Sequence, residues 1–470
     1  MIKKIENLIF LATIFLLPTQ ISKHFWPDFS FVSGIRVDYL SPTLYITDIL
    51  LAILFFMSLF RITLRSRNKR LGVIKIVHGS RFKAQSCSLK FKILNYKLNF
   101  SFLTFNFELN MIQISYLLIL LFALILGTIF SKQTLAAFYG LLKILEFSFF
   151  GFYIAFYFKT KNIKNFITTL GLTAVLFSSI GIIQFIKQSS IGGVLYYLGE
   201  RTFSASTPGI ANMNINGELV LRPYSTFPHP NVLAFFLLFV NSLIFFQLGQ
   251  EKNIKRKIFF IFVLLISTIA LFLTFSRIAI FLYLILLIYF FIQNIKALGK
   301  KMIVMLILGL FLFSLYLNFY YYRFFDSRFL LKDLIARRDL IDISFEIFKK
   351  YPLFGTGLNN FFFYESFYQK NITPVLLQPV HNIFILVLIE SGIIVFVLFC
   401  LFIYKTFIRA YSGFKKERNK GLINFYAAVL FIFICMIINS LFDHFFLTVQ
   451  QGQLILSVIV GLSYTKLRSS

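Results

Sequence analysis

Pro379-Val380-His381-Asn382 stands where a long polar stretch gives way to an apolar helical run. An imidazole exchanges a proton near neutral pH, and few other side chains do so. Three further segments bring arginine or histidine to similar junctions. Arg222-Pro-Tyr-Ser-Thr-Phe-Pro-His229-Pro-Asn231 leads into an apolar run, and Pro230 suits the first turn of a helix. His229 reads either as a site residue or as a loop side chain bonded to nearby backbone. Thr274-Phe275-Ser276-Arg277 separates two apolar runs with almost no loop, which puts Arg277 at a membrane rim. A charge there must face protein, water or an anion, or snorkel to headgroups. Around Arg337-Arg338, residues Leu331, Leu334, Ile335, Ile341, Phe345 and Phe348 recur at helical spacing. Steps of about 100° place Arg338 within that apolar stripe and Arg337 at its edge. An arginine on a buried face needs a phosphate or a nearby acid. A histidine at the rim of a membrane, with arginines on neighbouring loops, fits chemistry on a lipid-linked, phosphate-bearing substrate.

Other polar groups are secondary. Asn382 follows His381 directly. Glu390 lies nine residues beyond it, about 13 Å along a helix. It therefore cannot orient His381, and reads as a paired structural acid or part of an internal polar network. Asp443-His444 precedes the last apolar run and is a weaker candidate. No GxxxxGK[ST] phosphate loop is present, which argues against ATP hydrolysis by this chain. The outer loops hold no Asp-x-Asp pair and the chain no His-x-x-x-His, so no metal ligand set is evident and no cofactor is expected. Any bound phosphate must then be held by arginines.

The elements that position these residues are helices in a membrane. Hydrophobic residues make up 58% of 470 positions, mean hydropathy is +0.81, and 14% are charged. Soluble domains are nearer half apolar with about a quarter charged. Apolar runs of about 20 residues, enough to cross a bilayer, recur along the chain. The reading is an all-α polytopic membrane protein forming a single transmembrane domain over 1–470. About twelve spans are expected near 5–22, 42–60, 111–130, 135–158, 164–187, 229–248, 257–275, 277–294, 301–320, 381–404, 421–441 and 445–465.

The net charge of +29 would point to nucleic acid in a soluble protein. Here most Lys and Arg lie in short connections, as cytoplasmic loops require, and nucleic acid is not an expected partner. Residues 61–98 hold eleven Lys or Arg and no acid. With both termini cytoplasmic, every strongly basic connection falls on one side, and 188–228 and 321–380 fall outside. The segment 61–110 is a long basic cytoplasmic loop, in which Arg81 to Asn106 alternates loosely as a small strand pair does. It either fixes topology or touches anionic headgroups. An amphipathic helix is expected over 330–350 of the large outer loop, on the membrane or against the bundle. Tyr351-Pro352 ends it and Gly355-Thr356-Gly357 turns the chain. Met1-Ile2-Lys3-Lys4 and the apolar run after it read as an uncleaved first helix. Of the three cysteines, Cys87 falls in the basic loop and Cys400 and Cys435 within helices, with no metal spacing.

Four segments in this order resemble the O-antigen ligase and polymerase superfamily of bacterial membrane glycosyltransferases. Arg222 through Asn231 resembles the family's R-x-x-G-T-F-x-H-P-N stretch, with Ser225 where glycine is usual. Thr274-Phe-Ser-Arg277 resembles its T-x-S-R segment. Arg337 through Pro352-Leu-Phe-Gly-Thr-Gly357 resembles an arginine-led helix closing in P-x-x-G-x-G. His381-Asn382 through Glu390-Ser-Gly392 resembles H-N followed by E-x-G.

The resemblance covers roughly 200–400 and implies a glycosyltransferase-C-type bundle in the bacterial cytoplasmic (inner) membrane, working on its outer face without nucleotide or required metal. The implied donor is a polyprenyl-diphosphate-linked glycan, and the acceptor a glycan, lipid or protein hydroxyl, in an envelope polysaccharide or lipopolysaccharide context. His381 matches the family's catalytic histidine, and Arg222 and Arg277 its diphosphate-binding arginines. Arg337 matches its helix arginine by spacing from Pro352, whereas the helical wheel favours Arg338, so both stand.

The chemistry is consistent without the family name. A glycosyl diphosphate already carries a good leaving group. Arginines would hold the departing charge, and neutral His381 would accept the acceptor's proton. A polymerase joining lipid-linked repeat units and a protein O-oligosaccharyltransferase differ from a ligase only in acceptor. A transporter of lipid-linked glycan would instead put its polar groups near the midplane, often in repeated halves. These polar residues gather at one rim and no repeat is visible.

Overall fold

The computed structural model describes residues 2–79, 111–215, 218–294, 327–368 and 377–467. Among these, twelve helices of fifteen residues or more carry the architecture: α1 (Ile2–Leu16), α2 (Ile46–Gly79), α3 (Met111–Ile129), α4 (Thr134–Tyr157), α5 (Thr160–Lys187), α6 (Pro230–Leu248), α7 (Ile254–Leu273), α8 (Arg277–Asn294), α9 (Ser327–Lys350), α10 (Ile383–Lys416), α11 (Lys420–Ser440) and α12 (Gln450–Tyr464). By length and composition α4, α5, α6, α7, α10 and α11 can each cross a membrane. Ser115–Ile129 and Arg277–Phe290 are shorter apolar helices. The chain is an integral membrane protein. The expected span at 301–320, the strand pair within 81–106 and Cys87 lie outside the described residues. Cys400 and Cys435 are free thiols.

Helix α6 is the axis of the bundle. It is apolar on all sides, the pattern of a helix enclosed by others, and every residue from Val232 to Phe245 is buried. Helices α5, α7, α8, α11 and α12 surround it. Its buried Asn241 accepts a hydrogen bond from Ser267 of α7 at 2.6 Å, which satisfies a side-chain oxygen that apolar surroundings would penalise. Helix α7 differs, exposing Ile258, Ile261, Phe262, Leu265 and Ile269 while burying Phe260, Val263, Ser267 and Ala270.

Several ends depart from the expected spans. Helix α2 runs on to Gly79, so residues 61–79 of the expected basic loop are helical, and α10 runs on to Lys416 rather than ending near 404. Helix α1 stops at Leu16 rather than near 22, because the residue before a proline is steered out of the helical region and Leu17-Pro18 follows. The chain then builds two small antiparallel pairs, β1 (Ser22–His24) with β4 (Thr43–Tyr45) and β2 (Phe31–Val32) with β3 (Ile35–Arg36). A third pair, β5 (Asn212–Ile215) with β6 (Glu218–Leu221), sits in the segment before α6. The expected last span, 445–465, is split. Phe445–Thr448 forms one short helix and α12 begins at Gln450, with extended Val449 between them. Thr448 spends its hydroxyl on the His444 carbonyl and Nδ1, at 3.2 and 2.7 Å, a local bond that competes with continued helix.

Helix α9 covers the expected amphipathic 330–350, but of the expected stripe's described side chains only Ile341 and Phe348, both partly buried, pack against the bundle. Leu340, Ser344 and Ile347 are buried, whereas Leu334, Ile335 and Phe345 are exposed. The buried line packs against Phe361, Val380, Leu386 and Ile389, so contact with α10 decides the face rather than the count of apolar residues.

Helix α10 is broken. Gly392 has φ +73° and ψ 177°, a region that essentially only glycine enters. The break frees backbone groups, and the loop after α9 takes them up. Thr356 N–H donates to the Ile389 carbonyl, Gly357 N–H to the Glu390 carbonyl, and Ile393 N–H to the Pro352 carbonyl, each at 2.9 Å. Gly355, at φ +70°, lies so close that a Cβ would stand 2.5 Å from the Glu390 carbonyl carbon.

Candidate active site

Each site segment is held by local bonds that its sequence supplies. His229 caps α6, its Nδ1 accepting the Asn231 N–H at 3.1 Å, and Pro230 occupies the first turn. Asn382 caps α10, its side-chain oxygen accepting the Phe384 and Ile385 N–H groups at 2.9 and 3.1 Å. Its amide donates to the Leu441 carbonyl at 3.2 Å. Asn382 thus fixes the chain beside His381 and does not line the cavity described next.

Ser225 has φ +55°, the left-handed conformation that favours glycine. Buried Gln184 clamps this turn. Its Oε1 accepts the Tyr224 and Ser225 N–H groups at 3.1 and 2.7 Å, and its Nε2 donates to the Ser225 carbonyl at 2.9 Å. The turn is therefore kept even with serine in place. Phe275 stands likewise at φ +51°, which folds α7 back into α8 at Arg277.

These segments meet at a cavity of about 2870 Å³. Its walls include Arg222, His229, Asn231, Arg277, Arg337, His381, Glu390, Asp443 and His444. A chain of bonds runs along one side. Arg222 Nε donates to the Thr274 carbonyl at 2.7 Å, and its Nη2 to Asn231 Oδ1 at 2.7 Å. Asn231 Nδ2 donates to Asp443 Oδ2 at 2.8 Å, and the His444 N–H to Asp443 Oδ1 at 2.8 Å. Arg337 Nη1 joins the same segment, donating to the carbonyl of Phe442, the residue before Asp443, at 3.0 Å. His381 lies 5.0 Å from His444 between ring centroids, and its Nε2 pairs with Gln378 Oε1 at 3.3 Å.

Arg338, which the helical wheel put in the buried stripe, points away. Its side chain is 81% exposed and pairs loosely with Asp342 at 3.7 Å, so the arginine facing the cavity is Arg337. Glu390 lines the wall but serves the interlocking loop, accepting the Phe361 N–H at 3.5 Å.

Three residues that belong to no motif also line or border the cavity. Arg201 lines the cavity, donates to the Pro228 carbonyl at 2.9 Å and stands 5.3 Å over the Tyr224 ring. Tyr39 stacks on Phe362 at 5.5 Å and meets His444 edge-on at 5.7 Å. Its hydroxyl is pushed up to about 12, chiefly by burial and then by Asp443. Asp38 adjoins Tyr39 at the wall. Their only sequence signal is a place between spans on the same side as the arginines.

Burial dominates the ionisation of the histidines. His229 is pushed down to about 3 by burial and then by the Arg222 charge. His444 is lowered by burial, with Asp443 opposing and Arg337 adding. For Asp443 burial acts upward, but His444, His381, His229 and the Asn231 amide outweigh it, and the carboxyl stays below its usual range. Around neutral pH the site thus holds an anionic Asp443, neutral His229 and His444, and cationic arginines.

A stability consequence follows for His229. Between about pH 3 and the ordinary histidine value near 6.5, the unfolded chain binds a proton there that the folded chain does not. Stability therefore falls as pH drops through that window. His229→Asn keeps an N-cap acceptor and removes the titration. Thermal unfolding in detergent is expected to show a smaller loss of Tm from about pH 7 to about pH 5 in this variant than in the wild type.

His381, Asp443 and His444 offer ligand atoms within 4.8 Å of one another, a set able to hold a metal ion. The sequence expectation that no ligand set exists is corrected to that extent, since the three residues meet only through the fold. Surrounding arginines act against a dication there, and both Asp443 oxygens already accept N–H bonds.

Residues 261–400 match the family model described as O-Antigen ligase. No curated protein matches the chain. The matched stretch takes in the Thr274–Arg277 turn, α9 with Arg337, the Pro352–Gly357 loop and His381 through Gly392. It supports the resemblance to the O-antigen ligase and polymerase superfamily. Arg222 through Asn231 lie outside it.

Proposed function

We propose that the protein transfers a glycan from a polyprenyl diphosphate carrier to an acceptor hydroxyl, at the outer face of a bacterial cytoplasmic membrane crossed about twelve times. The family match supports glycan transfer or ligation in cell-envelope biosynthesis. The observation that carries the finer reading is the meeting of Arg222, Arg277, Arg337 and His381 on one cavity.

In this reading the arginines hold the diphosphate. Guanidinium groups match its oxygens in planar pairs and do not deprotonate, and Arg201 extends the set. The acceptor oxygen forms a bond to the anomeric carbon as the bond from that carbon to the diphosphate oxygen breaks. The polyprenyl diphosphate leaves with the electron pair, the acceptor's proton passes to His381, and the anomeric centre inverts. Asp443, ionised beside His381, favours the imidazolium formed, as a carboxylate does behind a catalytic histidine.

The two arginines of α9 separate the roles. A hydrogen bond to a charged group contributes about 1.5–3 kcal/mol, on the order of 10- to 100-fold. Arg337→Ala is expected to lower kcat/KM for the donor by that factor. Arg338→Ala removes an exposed pair of about 0.3–0.5 kcal/mol and is expected to stay within about twofold. Steady-state kinetics with a labelled donor compares them.

The reading is tested with purified protein, a polyprenyl-diphosphate glycan, and glycan, lipid and peptide acceptors offered separately, with products weighed by mass spectrometry. A covalent product with one acceptor class is expected, and the class that reacts separates ligase, polymerase and protein glycosylation. Donor translocation into vesicles with no covalent product would overturn the proposal in favour of transport. The same reaction in EDTA is expected to keep its rate. A loss restored by a divalent cation would instead assign His381, Asp443 and His444 to metal binding.

A further inference from the structure

The cavity does not end at the arginine rim. Its lining continues between α3, α4, α10 and α12 to the opposite end of the bundle. From His381 to Lys405 this is about 36 Å of chain at helical rise. Along the way the wall is largely apolar and aromatic, with Phe147, Phe152, Phe156, Phe399 and Phe402, interrupted by Ser148, Gln453, Ser457 and Lys143, the last paired with Asp48 and Glu146; Phe152 and Phe156 are each 44% exposed. At the far end the lining changes to Lys159, Lys161, Lys405, Arg409 and Lys466. Among the described residues that line this end, none is acidic. Glu417, the acid that closes α10, turns its Oε1 to the Arg418 and Asn419 N–H groups, both at 2.9 Å. Tyr116 and Tyr464 flank the cations: Lys405 Nζ stands 4.9 Å over the Tyr116 ring, and the Tyr464 hydroxyl pairs with Thr406 at 3.3 Å.

We propose that this end is a binding site for one anionic phospholipid of the facing leaflet, with its phosphate among Lys159, Lys161, Lys405, Arg409 and Lys466 and its acyl chains against the phenylalanine wall. The chemistry has two halves that one such molecule satisfies together. Cations from three separate stretches of chain converge without a neutralising carboxylate, which selects a negative headgroup at the membrane surface. The apolar groove leading from them accepts hydrocarbon. An isoprenoid tail entering from the arginine rim would also fit the groove, but its uncharged end would gain nothing from the cations. The site is separate from the glycan-transfer reading and stands whichever way that reading falls.

Native mass spectrometry of delipidated protein tests it, using dioleoyl phosphatidylglycerol and dioleoyl phosphatidylcholine as probes. The wild type is expected to retain one phosphatidylglycerol selectively over phosphatidylcholine. The double variant Lys405→Gln/Arg409→Gln is expected to bind that lipid at least about tenfold more weakly, about 1.4 kcal/mol. Lys415→Gln/Lys416→Gln alters the same helix at residues that do not line the cavity and is expected to bind as the wild type does. Lys159→Gln/Lys466→Gln repeats the test without touching α10, and circular dichroism checks that each variant is folded. Equal retention of the zwitterionic lipid would overturn the proposal. So would equal losses in the cavity and control pairs, which would mean general surface attraction, or undiminished binding in both cavity pairs.

Discussion

His381→Ala is expected to lower glycan transfer by about 10²–10⁴-fold, the usual contribution of a positioned general base. The loss should fall on kcat, with the donor's KM little changed, because the arginines that bind diphosphate are untouched. The variant should still insert and fold. His381 is half-buried, and it is Asn382, not His381, that caps α10. Single-turnover transfer with labelled donor, after detergent gel filtration has checked integrity, measures the effect. Alkylation of an engineered cysteine before His381 by a reagent confined to the outer side would check the sidedness. A transfer rate within about tenfold of wild type in a folded His381→Ala protein would remove the proton acceptor from the mechanism.

Gly392→Ala is expected to cost on the order of 4 kcal/mol or more, in the range reserved for strained backbone and forced steric contact. Both causes act at once. At φ +73° and ψ 177° a side chain is strained whatever space it has. A Cβ there would also penetrate the backbone of Leu353. Relief requires the Pro352–Gly357 loop to withdraw, and the Ile389, Glu390 and Pro352 carbonyls would then lose their partners. That loop joins α9, which bears Arg337, to the segment before His381, so the damage should reach the site as well. Folded yield and Tm should both drop, and the protein that remains should show impaired transfer. Normal yield with normal activity would mean that the break in α10 does not depend on the interlocking loop.

The sequence made the helices legible because membrane spans have a simple signature, and Pro230 marks a helix start that the structure keeps. The arginines and His381 stand out as candidates because charged and titratable groups are scarce in an apolar chain, and the fold places Arg222, Arg277, Arg337 and His381 on one cavity. Arg338 misled, since a helical wheel weighs apolar residues and cannot know that α9 packs through Leu340, Ser344 and Ile347. The closeness of Asp443 to Asn231 and His381 is not legible in the sequence, because those neighbours come from distant segments. Arg201 and Tyr39 carried no spacing or motif at all. The Ser225 departure became intelligible only with Gln184 in view, because the buried amide that secures the turn lies 41 residues earlier.

Helix α6 has a consequence for how this protein can vary. Most spans of a bundle present some flank to lipid, where one aliphatic residue replaces another at little cost. From Val232 to Phe245 no such flank exists, since each residue is enclosed by protein. Changes in volume there are felt at every position rather than every third or fourth. Sequence drift should therefore leave a helical rhythm along α7, with its alternation of open and closed faces, and an unbroken block of constraint along α6. The block begins directly after Asn231, so the steadiest part of the molecule directly underlies the arginine rim.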